Sequence, residues 1–81
     1  MIEPSEIEEL LRGALDVHHI EIEDLTGTRD HYKLVLVASD FDGVLPIKQH
    51  RLIYGALKEQ MKGPIHALTI ESYTPAQWGA R

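Results

Sequence analysis

Eighty-one residues, 43% hydrophobic and 26% charged, with a formal net charge of −5 and no cysteine, fit one small domain, because a chain this short buries only somewhat more than ~60% of its unfolded surface. A large enclosed active site is excluded on size, disulfides and thiol catalysis on composition, and a membrane-spanning helix because no apolar run reaches the ~18 residues it needs. The opening Met1-Ile2-Glu3-Pro4 lacks the basic and apolar regions of a secretory signal, so a cytoplasmic setting is expected.

Ser5 with Glu8 three positions on forms a capping-box pattern, and Ile7, Leu10, Leu11, Ala14 and Leu15 follow at helical spacing. Ile20 and Ile22 then alternate with Glu21 and Glu23, as in a strand with one buried face. Thr26-Gly27-Thr28-Arg29-Asp30 reads as a turn, and Tyr32–Ala38 as a central strand, apolar on both faces. Asp40 to Leu45 is a connection containing Gly43. Pro46 suits the first position of a long helix, where a missing N–H costs nothing. That helix presents Ile53, Leu57 and Met61 to a core and ends near Gly63-Pro64. Ala67 to Tyr73 reads as a third strand, and Thr74-Pro75 caps a short terminal turn carrying Trp78. The predicted order is α-β-β-α-β-α, a single α+β domain over residues 1–81, with helices on one face of a three-stranded sheet.

Five histidines raise the question of a metal. His18 and His19, neighbours at a strand start, point to opposite faces and read as solvated. His50 reads as a helix residue packed at the edge of the core. His31, where the hairpin turn enters the central strand, and His66, between the long helix and the third strand, occupy element ends, where function concentrates on small rigid domains. They match no local ligand spacing, so a site and two exposed residues both remain open.

Charge is uneven. Lys48, Arg51, Lys58 and Lys62 against Glu59 give the segment from Pro46 to His66 a local charge of +3 and leave −8 elsewhere. On one continuous helix these four cations fall within roughly an 80° arc. Such a stripe is a nucleic-acid surface, a partner surface or a solvated face. No Gly-x-x-Gly loop accompanies it. Nor is there a phosphate loop, a nucleophile elbow or a carboxylate pair at catalytic spacing, and Asp40 and Asp42 read as turn formers, so no enzyme is expected.

Several motifs in order carry a resemblance. They are Asp24-Leu25-Thr26-Gly27 with His31-Tyr32, Phe41-Asp42-Gly43, Gln49-His50-Arg51 with Leu52-Ile53-Tyr54 and Ala56-Leu57, Ile65-His66-Ala67-Leu68, and Tyr73-Thr74-Pro75-x-x-Trp78. In this arrangement the chain resembles the BolA-like proteins. The resemblance implies a fold like the type II KH domain, with the first two strands in a hairpin and a mixed sheet. It implies that the histidine matching His66 is an iron–sulfur ligand and that a second ligand, histidine or cysteine, comes from the hairpin loop. That loop has no cysteine and His31 is its only histidine, so His31 is taken as that ligand, with Asp30 or His19 next in line should it not be. Two imidazoles can replace two thiolates on one iron of a [2Fe–2S] centre. The remaining ligands would come from a monothiol glutaredoxin and its bound glutathione, which fits a chain without cysteine. The implied role is a non-enzymatic adaptor in iron–sulfur trafficking or iron and redox sensing, with the basic helix adding to a partner surface and the free protein a monomer or weak homodimer. The alternative is a DNA-binding transcriptional regulator acting through Lys48, Arg51, Lys58 and Lys62.

Overall fold

Pro4 starts the first helix one position before Ser5, because proline's fixed φ and missing N–H suit a first turn. In the computed structural model, which describes residues 3–27, 31–63 and 67–80, helix α1 spans Pro4–Ala14 with Glu3 as its N-cap. The cap is therefore not the expected Ser5–Glu8 box. The Glu3 N–H donates to Glu6 Oε1 at 3.4 Å, while Glu8 pairs with Arg12 one turn on, at 2.8 Å. Ile7 and Leu11 are fully buried and Leu15 packs beside them, whereas Leu10 and Ala14 lie on the exposed side.

Strand β1 (Val17–Asp24) pairs antiparallel with β2 (His31–Ala38), and β2 pairs parallel with β3 (Ala67–Tyr73), which gives a mixed sheet of order β1-β2-β3. The register of β1 shifts between Val17 and His19. That bulge lets Val17 and Ile20, three residues apart, both pack on the core. On the central strand Tyr32, Leu34, Leu36 and Ala38 enter the main core, and Val35 and Val37 are buried on the opposite face. A β2 that is apolar on both faces is thus borne out.

A 3₁₀ turn at Ser39–Phe41 drops Phe41 into the core, and Gly43 takes a φ of +71°, a value glycine adopts without steric cost. Asp40 does more than form this turn. Its Oδ1 accepts the Asp16 N–H at 2.6 Å, and Ser39 Oγ donates to Asp16 Oδ2 at 2.6 Å, which ties the α1–β1 connection to the end of β2.

The expected long helix is two: α2 (Pro46–Ala56) and α3 (Lys58–Met61), separated at Leu57, whose ψ is 19°. The break follows Gly55, the weakest helix former beyond the first turn of the segment. Leu57 remains fully buried with Ile53, and Met61 packs against the cluster, so the three core contacts hold across the break.

Helix α4 (Pro75–Gly79) is capped as expected, with Thr74 Oγ1 accepting the Gln77 N–H at 3.1 Å. It departs from the other helices in the face it covers. Trp78 stacks on His19 with ring centroids 4.8 Å apart and meets Tyr73 at 5.5 Å. His19 and Tyr73 flank Val37 in the register, on the face turned away from α1 and α2. So α1, α2 and α3 share one face, and α4 closes one end of the other.

Candidate functional site

The turn end of the hairpin is held by backbone chemistry. Asp24 Oδ1 accepts the N–H groups of Thr26 (3.3 Å) and Gly27 (2.9 Å), with Gly27 at a φ of +77°. The Leu25 N–H donates to the His31 carbonyl at 2.8 Å, closing the loop where β2 begins. His31 is therefore fixed as the first residue of the central strand, half-buried.

Across the parallel pairing His31 lies opposite Ala67, the first residue of β3 and the one that follows His66 in the chain. His66 and Asp30 themselves lie outside the described residues. His19 does not belong to this end of the molecule. It pairs with Val37, six residues along β2 from His31, a separation of roughly 20 Å at the usual rise of a strand. Nor is it merely solvated, since its Nε2 lies 2.7 Å from Glu21 Oε2 and its ring stacks on Trp78. His18 sits 3.6 Å from Asp16 at the exposed bulge, and His50 is half-buried on α2, as expected of a residue at the core edge. Among the described residues no group of three or more His, Cys, Asp or Glu side chains comes together as a metal site. A cluster at His31 would accordingly need donors from elsewhere.

The basic residues are all exposed, but they do not form one stripe on one helix. Lys48 and Arg51 lie on α2, Lys58 opens α3, and Lys62 caps it. The break at Leu57 removes the fixed 100° relation between the two pairs. Lys62 lies 3.6 Å from Glu59. No described acid pairs with Lys48, Arg51 or Lys58.

Gln49, to which the sequence pattern assigned no role, is a structural residue at the end of the sheet away from His31. Among the described residues it is the buried polar side chain, 4% exposed. Its Nε2 donates to the carbonyls of Val44 (2.7 Å) and Phe41 (3.4 Å), and its Oε1 accepts from Ser72 Oγ at 2.7 Å. One amide thus fixes the Gly43 connection against both α2 and the far end of β3. Its helical phase, one turn before Ile53, was the available signal.

A profile of the BolA-like protein family matches residues 11–77. BolA-like protein 1 of Pongo abelii is 49% identical over 65% of this chain, and this chain spans 39% of that protein's length. The DNA-binding transcriptional regulator BolA of Escherichia coli strain K12 is 35% identical, with 89% of this chain and 75% of that protein covered. Among solved structures, a bol-like protein from Babesia bovis superposes with a TM-score of 0.89 at 30% identity, covering 99% of this chain and 93% of the other. BolA1 from Arabidopsis thaliana gives 0.85 at 33%, covering 94% and 98%. A small α+β domain with this mixed sheet, matched along most of its length, belongs to the BolA-like family.

Proposed function

We propose that this chain is a non-enzymatic adaptor of the cytoplasm. It would bind a monothiol glutaredoxin and share a bridging [2Fe–2S] cluster with it, in iron–sulfur trafficking or in iron and redox sensing. The observation that carries this reading is the register of β2 against β3. His31 stands opposite Ala67, and a trans peptide bond holds neighbouring Cα atoms about 3.8 Å apart, so His66 is tethered one residue from His31's strand partner. That register sets the start of β3, the residue after His66 in the chain, beside His31 at one end of the sheet.

The donor set fits half a cluster. Neutral imidazole is a competent iron ligand, and the chain contributes no thiolate of its own. The glutaredoxin cysteine and glutathione would complete the set. When bound, the cluster would supply an exchangeable iron–sulfur unit whose potential is raised by imidazole ligation. The chain's own part would be to supply two ring nitrogens, one from His31 and one from His66. Ligand half-sets bind weakly alone and together in the complex, as cargo transfer requires.

A second reading has its own support. Lys48, Arg51 and Lys58 are exposed cations with no acidic partner among the described residues, and one relative is named a DNA-binding transcriptional regulator. On this reading the phosphate backbone is met by α2 and the start of α3, with Lys62 at the margin.

The test is to mix the protein with glutathione-loaded, [2Fe–2S]-bearing monothiol glutaredoxin and follow visible absorption and circular dichroism. A new one-to-one spectrum is expected, abolished by His66→Ala and altered by His31→Ala. A spectrum indifferent to His66→Ala removes the proposed ligand. No new spectrum, together with duplex DNA affinity that falls steeply as salt rises, transfers the function to the second reading.

A further inference from the structure

The sheet ends in two edge strands of unequal character. The central strand β2 is bonded on both sides, so β1 and β3 each keep one row of main-chain groups without a strand partner among the described residues. On such an edge every second residue turns its N–H and C=O outward. An open row of this kind invites further strand pairing, and native proteins blunt it with bulges, charges or prolines. Strand β1 is blunted in this way. Its register breaks between Val17 and His19, and Glu21 and Glu23 occupy its middle.

Strand β3 carries none of these devices. Ala67–Tyr73 pairs with His31–Val37 in unbroken register. The strand has no lysine, arginine or proline, and its one charge, Glu71, is drawn toward β2 by Lys33 at 3.2 Å. No described loop or helix bonds its main chain to that of Leu68, Thr69, Ile70 or Ser72. Tyr32 and Leu34 are fully buried, whereas Leu68 and Ile70, their partners one strand further out, are only partly covered. The helical layer therefore stops short of the β3 margin. What remains is a ledge with open main chain at its lip and aliphatic side chains on its helix side.

We infer that the free edge of β3 receives an extended segment of another protein as a fourth strand. A straight row of main-chain donors and acceptors is satisfied by another extended main chain, and by few other ligands. Leu68 and Ile70 specify the side chains of that segment. Apolar residues at alternate positions, on the helix side, complete the cover, and the intervening positions lie beside the exposed Thr69 and suit threonine or other polar residues. The occupant is thus a strand of period two with one apolar face. A second β3, paired antiparallel about Ile70, would set Ser72, whose hydroxyl already donates to Gln49, against each Leu68, so a separate protein is the better match. The edge is defined by β3 alone, and the inference does not rest on the proposed cluster.

The experiment adds a short synthetic peptide to the full chain and follows amide hydrogen exchange residue by residue. The peptide alternates valine with threonine and carries a lysine at each end. Every second amide of β3 is expected to exchange quickly in the free protein and at least about ten-fold more slowly with peptide bound, while β1 is unchanged. The same peptide N-methylated at every amide keeps its side chains and loses its donors, and is expected to bind at least about ten-fold more weakly. A peptide of the same residues with its valines gathered in one half is expected to bind as weakly, because it has no continuous apolar face. Slowing on β1 or on the helices overturns the inference, as do an absence of slowing at millimolar peptide and equal binding by either altered peptide. A β3 edge already protected in the free protein also overturns it, and a dimer in sedimentation velocity would then give the edge to a second copy.

Discussion

Gln49 stands between a charged-looking sequence context and a buried place in the fold. With lysine, histidine and arginine around it, glutamine reads as a surface residue. What places it inside is its phase on the helix shared with Ile53, and the backbone carbonyls of Phe41 and Val44 that its amide satisfies. Gln49→Leu keeps the volume and strands those acceptors together with Ser72 Oγ. A loss of about 1–3 kcal/mol is expected, read as a lower urea midpoint at unchanged slope, and an unchanged midpoint would show that water can take the amide's place. Lys33, on the opposite face of the sheet, has its pKa raised above the ordinary 10.5 by its hydrogen bond to Glu71, 3.2 Å away, and by that carboxylate's charge. Because folding favours its protonated form, the contribution is fully present below 10.5 and lost as pH rises through the higher folded value. Thermal melts from about pH 9 to about pH 12 are expected to show a loss of stability that Lys33→Met lacks. Equal alkaline loss in both proteins would remove the pair from the account.

At the scale of elements, three strands and their order could be read from alternation and from turn residues, because a period of two with glycine-bearing breaks has few other solutions. What could not be read was decided by tertiary contacts. The capping pattern at Ser5 was a local motif outcompeted by Pro4, and the break at Leu57 has no proline to announce it. The face chosen by α4 depends on a histidine and a tyrosine from two different strands, which no local pattern connects. Five residues are too few for a helix that stands alone. Its cap and the stacking of Trp78 therefore hold it together. Trp78 is the single tryptophan, so its emission reports the docking directly. Thr74→Ala, expected to cost about 1 kcal/mol, and His19→Ala are both expected to shift that emission to the red with the far-ultraviolet spectrum little changed. Emission indifferent to both would mean that α4 is held by contacts other than these.

At the scale of the molecule the two ends of the sheet are put to different uses. One end is closed by α4 over Val37, and the other carries His31 opposite the start of β3. The candidate site was legible only as two histidines at element ends, since nothing local in a sequence relates positions 31 and 66. The parallel pairing that relates them has a cost in time as well as in geometry. Every β2–β3 pair joins residues 36 apart, whereas the innermost β1–β2 pair joins residues only 8 apart. Closing the longer loop costs roughly 1 kcal/mol more in chain entropy, and long-range pairings form slowly. The hairpin thus has the head start and β3 arrives last, sliding into a groove already framed by the central strand. A partly folded chain with only its hairpin formed presents His31 beside the end of β1, with an open edge where β3 belongs. On the proposed cluster-sharing function, capacity for cargo would then be a property of the finished fold alone, and an incomplete molecule would offer no half-built site with which to sequester iron.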